Sequence, residues 1–277
     1  MAKKDVNNMS FLDHLEELRW HIIKAVIGIV ICTVVAFFFK EFIFDVVIFG
    51  PTDTKFITYR VLCKVAESVN IEAATFCADE FPFKIQNINV AGQFTAHIWT
   101  SLFAGFIIAF PYVLYQIWSF ISPGLESHER KGSRGFIIIS SFLFFLGVLF
   151  GYYVITPLSI NFLGTYEVSS KVSNEFNMSS VISITRSSSL ACGFIFELPI
   201  IVYFLTKIGI VTPNVLRKYR KFALVAVLIL SAIITPPDVA SQIIVAIPIL
   251  ILYQLSIYIS AIVLKREKRK SKDLVNS

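Results

Sequence analysis

The stretch Val239–Leu264 reads VASQIIVAIPILILYQLSIYISAIVL and contains no Asp, Glu, Lys or Arg. A helix of about 20 apolar residues crosses the roughly 30 Å of hydrocarbon in a bilayer, and this run is longer than that. Two other stretches share the property, Ile85–Leu125 and Gly135–Tyr166. Their reading decides the class. The chain is expected to be an all-α, polytopic membrane protein.

Working outward from these stretches gives six transmembrane helices, at roughly 22–40, 94–121, 136–156, 183–206, 219–235 and 242–264. The fifth is short, because its apolar core Phe222–Ile234 covers only about 20 Å at about 1.5 Å per residue. Pro111 and Pro248 fall inside the second and sixth spans and predict bends, hence a cupped bundle and not straight rods. Pro51, after Gly50, marks a turn into an outer cap, and Pro157 is a further punctuator. The cap loop 41–93 has room for a short amphipathic helix.

Composition agrees. Of the 277 residues 56% are hydrophobic and 16% charged, against about 25% charged in a soluble domain. The net charge of +6 comes from segments flanking the apolar runs. It therefore reads as membrane orientation, and no nucleic-acid partner is expected. The N-terminal segment, the loop with Arg130, Lys131 and Arg134, the loop with Arg217, Lys218, Arg220 and Lys221, and the tail all fall on one side. The positive-inside rule makes that side cytoplasmic and places both termini there.

Asp5, Asp13, Glu16 and Glu17 precede the first apolar run, and Lys40 and Glu41 follow it, so no cleavable signal peptide is read. Ser10–Asp13 resembles a capping box. Phe11, Leu15, Leu18 and Ile22 then share one face at helical spacing. Residues 1–21 are accordingly expected to form a cytoplasmic amphipathic helix that turns into a membrane domain over 22–264. The basic tail 265–277 reads as disordered.

No phosphate-binding Gly-x-x-x-x-Gly-Lys-Ser/Thr loop, nucleophile elbow or His-Glu-x-x-His helix occurs, so neither an enzyme nor a cofactor is expected. His14, Glu17 and His21 share a helical face, but three ligands on one open helix would hold metal poorly, and no metal site is assigned. Glu17 and Glu129 both lie on the cytoplasmic side. Carboxylates match the guanidinium fork, so two of them suit two arginines; pairing with Arg19 and Arg130 is the competing reading. Glu197, deep in the fourth span, marks either a functional interior or a protonated acid bonded within the bundle. Thr235-Pro236-Pro237-Asp238 makes a turn at partial membrane depth. Asp238 and Gln242 there serve a water-filled concave face, a helix cap, or both. Cys63 and Cys77 share a loop outside the cytoplasm, where a disulfide is possible, whereas Cys32 and Cys192 read as apolar filler.

His14-Leu-Glu-Glu-Leu-Arg19, Tyr115–Gly124, His128-Glu-Arg130, Phe196-Glu-Leu-Pro199, Thr235-Pro-Pro-Asp238 and Ser241-Gln242 occur in that order. Together they resemble the TatC family, the multi-spanning component of twin-arginine translocases, over about residues 10–264. The resemblance implies a receptor in the bacterial cytoplasmic (inner) membrane that binds twin-arginine signal peptides of folded precursors, with transport driven by the proton motive force. It implies single-span TatA- and TatB-type partners, self-association and contact with membrane lipid. By the same resemblance Glu17 and Glu129 receive the arginines, with Arg19, Gln116 and Phe120 beside them. Glu197, Asp238 and Gln242 become intramembrane polar groups for partner binding, and Pro51 belongs to the outer cap. Lys131 stands where many members carry a second arginine. The alternative is a proton-coupled secondary transporter of small solutes using Glu197 and Asp238 as relays, although no internal symmetry supports it. An intramembrane protease would need a serine or aspartate partner that His97 lacks.

Overall fold

The structure is a computed structural model that describes residues 11–68, 77, 81–122, 133–169, 171, 174–235 and 239–275. The described residues are mostly helical, and the chain falls into two compact units, residues 1–47 with 87–145 and residues 48–86 with 146–277. Among the described residues five helical stretches are long and apolar enough to cross a membrane: His14–Phe38, Gly92–Ile121, Gly135–Thr165, Met178–Lys207 and Ser241–Arg266.

The first unit rests on α1 (Phe11–Phe38) and α3 (Gly92–Ile121); α2 (Ile57–Ser68) lies between them in sequence and belongs to the second unit. Contacts between α1 and α3 run in opposite order along the two helices, so the pair is antiparallel. His14 meets Phe120, His21 meets Gln116, Gly28 faces Tyr112, Gly105 faces Thr33, and Phe37 meets His97. A Cβ on Gly105 would collide with the Thr33 backbone, so the closest approach of the two helices requires glycine there. At the far end His97 Nε2 lies 3.0 Å from the Phe37 carbonyl, and its ring stacks on that of Phe37 at 3.9 Å. Phe37 is among the last residues of α1, whose carbonyls lack partners within the helix, so His97 acts as a cap. The first part of α4 (Ser133–Phe150) adds a phenylalanine seam. Phe144 is fully buried and stacks on Phe110 at 3.5 Å, and Trp118 packs on Phe136.

In the second unit α4 passes through a π-helical turn, Gly151–Ile155, into α5 (Thr156–Thr165). Pro157 has no N–H for the Tyr153 carbonyl four residues earlier, and the Thr58 hydroxyl donates to that carbonyl instead. Gly147 and Gly151 lie against Cys192–Gly193 and Ser188–Ser189 of α6 (Met178–Phe196), where any Cβ would strike backbone. This is a small-xxx-small contact of the kind that lets membrane helices approach closely. α6 starts at Asn177, whose side chain accepts from the Ser179 N–H at 3.1 Å. Strands β1 (Lys84–Gln86) and β2 (Glu175–Asn177) pair in parallel with Ile85 opposite Phe176.

After α7 (Leu198–Lys207), Gly209 at φ +79° turns the chain, with Ile210 N donating to Leu205 O and Gly209 N to Thr206 O. That pairing satisfies the last carbonyls and needs the left-handed residue that glycine supplies. The short α8 (Pro213–Lys218) leads to α9 (Arg220–Ile234) and α10 (Val239–Val275). Three side-chain bonds tie α7, α8 and α9 to α10: Thr206 to Ser260, Tyr253 to the Leu216 carbonyl, and Gln242 to the Leu228 carbonyl. The core of this unit gathers Ile155, Cys192, Val227, Val245, Ala246 and Ile249.

Two expectations change, the turn after residue 21 and the disordered tail. The helix from Phe11 runs unbroken to Phe38, so the turn between an interfacial helix and a span starting at residue 22 is absent. No Gly or Pro occurs between Phe11 and Ile27 to make one. Leu15 and Ile22 are exposed, and it is the opposite, polar face of that helix that packs on α3. The tail is helical to Val275, because Lys, Arg and Glu are good helix formers and cations suit a helix C-terminus. The expected fifth span, read as short, corresponds to α9, whose 15 residues reach about 22 Å and fall outside the five stretches of crossing length.

Candidate functional site

The candidates expected on the cytoplasmic side, Glu129 aside, lie on or beside the seam of α1 and α3. His14, Glu17 and His21 follow one another at helical spacing on α1, and Gln116 and Phe120 are one turn apart on α3. The His14 ring stacks on Phe120 with centroids 4.5 Å apart. His21 Nδ1 lies 2.8 Å from Gln116 Oε1. Glu17, between the two histidines, is half-buried, while Glu16, Arg19 and Trp20 are exposed. Among the described residues Glu17 makes no ion pair, with Arg19 or any other cation. Gln116 is 6% exposed. The structure thus sets Glu17 between the two histidines that contact Phe120 and Gln116, and leaves Arg19 exposed. Glu129 lies outside the described residues.

This seam is rich in acceptors and π faces and holds one carboxylate with its oxygens uncommitted among those residues. Such a surface suits a guanidinium, which donates in a planar fork and stacks on aromatic rings. The histidine pair does not form a metal site, since each ring is turned to its own partner on α3. The one cluster of metal-ligand type among the described residues is Cys63, Glu67 and Cys77, and there the two sulfurs are bonded to each other.

The intramembrane candidates are arranged differently. Glu197 is 7% exposed and stands at the break between α6 and α7. Its N–H bonds Phe194 O, and its carbonyl accepts from Ile200 and Ile201. The break follows from Pro199, which has no N–H for the carbonyl of Ile195. Gln242 is spent on the bond from α10 to α9, 3.0 Å from Leu228 O. Asp238 lies outside the described residues. Thr235 lines a cleft of about 260 Å³ with the hydroxyl residues Ser159, Ser187 and Ser188.

Two features escape the sequence reading. Arg186 lies in α6, within a stretch of membrane-crossing length. Counting basic residues loop by loop passes over it; scanning each span for a lone ionisable group finds it. The second is Tyr59, 1% exposed, whose hydroxyl lies 2.9 Å from Pro51 O and 2.8 Å from Pro157 O. Burial pushes its phenol pKa up. Pro51 is buried beside it, and only the proximity of two proline carbonyls, invisible in sequence, explains the clamp.

A family model described as Sec-independent protein translocase protein (TatC) matches residues 13–248. The chain is 44% identical over 265 residues to the Sec-independent protein translocase protein TatC of Blattabacterium sp. subsp. Periplaneta americana (strain BPLAN), covering 96% of this chain and 100% of that one. It is 32% identical to the protein of that name from Aquifex aeolicus (strain VF5), covering 95% and 100%. A crystal structure of the twin arginine translocase receptor TatC in DDM is similar at a TM-score of 0.69 and 32% identity, over 89% of this chain and 99% of that one. A second crystal structure of that receptor gives a TM-score of 0.64 at 31% identity, over 91% and 99%. With the family model spanning most of its length and relatives matched nearly end to end, the chain belongs to the TatC family of protein translocase components.

Proposed function

We propose that this chain is the receptor subunit of a twin-arginine translocase, binding signal peptides with consecutive arginines through Glu17 and Glu129. The observation that carries the reading is the state of Glu17: half-buried on the packed face of α1, flanked by His14 on Phe120 and His21 on Gln116, and in no ion pair among the described residues. A carboxylate held this way offers both oxygens to a guanidinium, and the resulting charge-assisted bonds discriminate arginine from lysine by shape. The apolar part of the signal adds affinity by packing along the spans. The crystal structures similar to this chain are described as a twin arginine translocase receptor, which supports the same reading.

As such a receptor the chain sits in a bacterial inner membrane, crosses it six times and keeps both termini in the cytoplasm. α9 crosses despite its 15 residues because the bilayer thins locally or flanking residues snorkel. Residues 41–93 form the outer cap with Pro51, and 265–277 extend into the cytoplasm. Glu197, Asp238 and Gln242 meet single-span TatA- and TatB-type subunits, and the proton motive force drives passage. The chain performs no covalent chemistry on the precursors it binds.

The test is photo-crosslinking in membranes between a twin-arginine precursor and a probe placed at Phe120. Glu17→Ala and Glu129→Ala are each expected to abolish the adduct while leaving insertion unchanged. A double variant that crosslinks like the parent overturns the assignment.

A further inference from the structure

We propose that Cys63 and Cys77 are oxidised outside the cytoplasm by thiol–disulfide exchange with a protein disulfide oxidoreductase, that exchange enters at Cys77, and that the bond staples the outer cap. The proposal shares only its orientation with the receptor reading.

The two cysteines are bonded, with Cα atoms 5.2 Å apart and a sequence separation of 14. Each lies beside a segment that is anchored on its own account. Cys63 sits one turn beyond Tyr59 on α2, and Tyr59 is held by the Pro51 and Pro157 carbonyls. Beyond Cys77 the chain reaches Phe81, whose ring is 5.2 Å from that of Tyr59, and Phe83, which packs with Ile160 and Val181. Packing therefore brings the two ends of the loop to one platform, and the sulfurs meet there. No other thiol competes: Cys192 is buried in the core and Cys32 lies within the apolar α1.

Cys77 is exposed and Cys63 half-buried, which orders the chemistry. The Cys77 thiolate attacks the partner's disulfide, forming a mixed disulfide and releasing one partner thiolate. The Cys63 thiolate then attacks the Cys77 sulfur, closing the Cys63–Cys77 bond and expelling the second partner thiolate. Two protons leave the cysteines, two electrons pass to the partner, and the partner ends as a dithiol. The Glu67 carboxylate, 3.6 Å from the Cys63 sulfur, disfavours a thiolate there throughout, which makes Cys63 the poorer entry thiol and, once the bond is closed, the poorer leaving group. Cytosolic reductants keep such a pair reduced, so the bond requires the cap to lie outside.

The test uses the full chain carrying Cys32→Ala and Cys192→Ala, in spheroplasts treated with a membrane-impermeant maleimide mass tag. No tag is expected before reduction and two after it. Two tags without reductant, with or without a chelator, overturn the disulfide while leaving the orientation intact; tags gained only after lysis overturn the orientation. Cys63→Ser should accumulate a reductant-sensitive adduct with another protein on non-reducing gels, and Cys77→Ser at least several-fold less. The reverse pattern, or no adduct from either, overturns entry at Cys77. External protease should cut the cap of the double serine variant several-fold faster than that of the parent, and equal rates overturn the staple.

Discussion

His21 and Gln116 join α1 to α3 through a bond of 2.8 Å between imidazole Nδ1 and amide Oε1. An amide oxygen only accepts, so the ring donates through Nδ1–H, and Gln116 keeps its NH2 for another partner. The seam that carries Glu17 is thereby held by a polar contact at one end and by the His14–Phe120 stack at the other.

Truncating Gln116 leaves the His21 donor unmet in a mostly buried setting. Gln116→Ala should cost about 1–3 kcal/mol of stability, read as a lower Tm in detergent. A double-mutant cycle with His21→Phe should return a coupling of about 0.5–1.5 kcal/mol. Additive losses would show that the two side chains do not depend on each other.

Thr58 serves a carbonyl that Pro157 cannot. Thr58→Val should lower stability by about 1–2 kcal/mol. The loss should shrink when Pro157→Ala restores a backbone donor, and thermal unfolding of the four variants measures it.

Tyr59 gives the segment around α2 an alkaline limit. Burial raises its phenol pKa in the folded state, while the unfolded chain ionises near pH 10. The stabilisation is therefore complete below about pH 10 and declines as pH rises above it. Tyr59→Phe should lose about 1–3 kcal/mol at neutral pH by stranding the Pro51 and Pro157 carbonyls. It should also flatten the fall in Tm between about pH 10 and 11 relative to the parent.

Glycines in the same helix should respond unequally. Gly147→Ala drives a methyl into the Cys192 carbonyl, whereas a Cβ at Gly135 meets nothing within 4 Å. The first should destabilise by about 1–3 kcal/mol or more. The second should stay within about 0.5 kcal/mol or gain slightly from helix propensity. Accumulation in membranes and Tm together report the difference.

The membrane class is legible in the sequence because hydrocarbon permits few charges, and runs such as Val239–Leu264 announce themselves by composition alone. The break at Glu197 is legible too, since Pro199 removes a specific backbone donor. The tail misleads: its charges resemble a solvated coil, yet the same residues extend α10 to Val275. The pairing of β1 with β2 has no signal at all, because two three-residue strands so far apart in sequence carry no period long enough to read. At the candidate site, spacing puts His14, Glu17 and His21 on one face, but nothing in the sequence says that this polar face is the one that packs on α3. The habit of soluble proteins, apolar face inward, is inverted. Leu15 and Ile22 stay exposed, and the helix–helix contact takes the polar groups.

The most direct measurement is equilibrium binding of two signal peptides, one with paired arginines and one with paired lysines, to the purified protein and its Glu17→Gln variant. If Glu17 receives an arginine, the parent should bind the arginine peptide tightly and in a salt-sensitive way. The lysine peptide should bind at least tenfold more weakly, a difference of about 1.4 kcal/mol. In Glu17→Gln the arginine peptide should weaken to the level of the lysine peptide. Undiminished discrimination between the two peptides by Glu17→Gln would contradict a receptor built on this carboxylate.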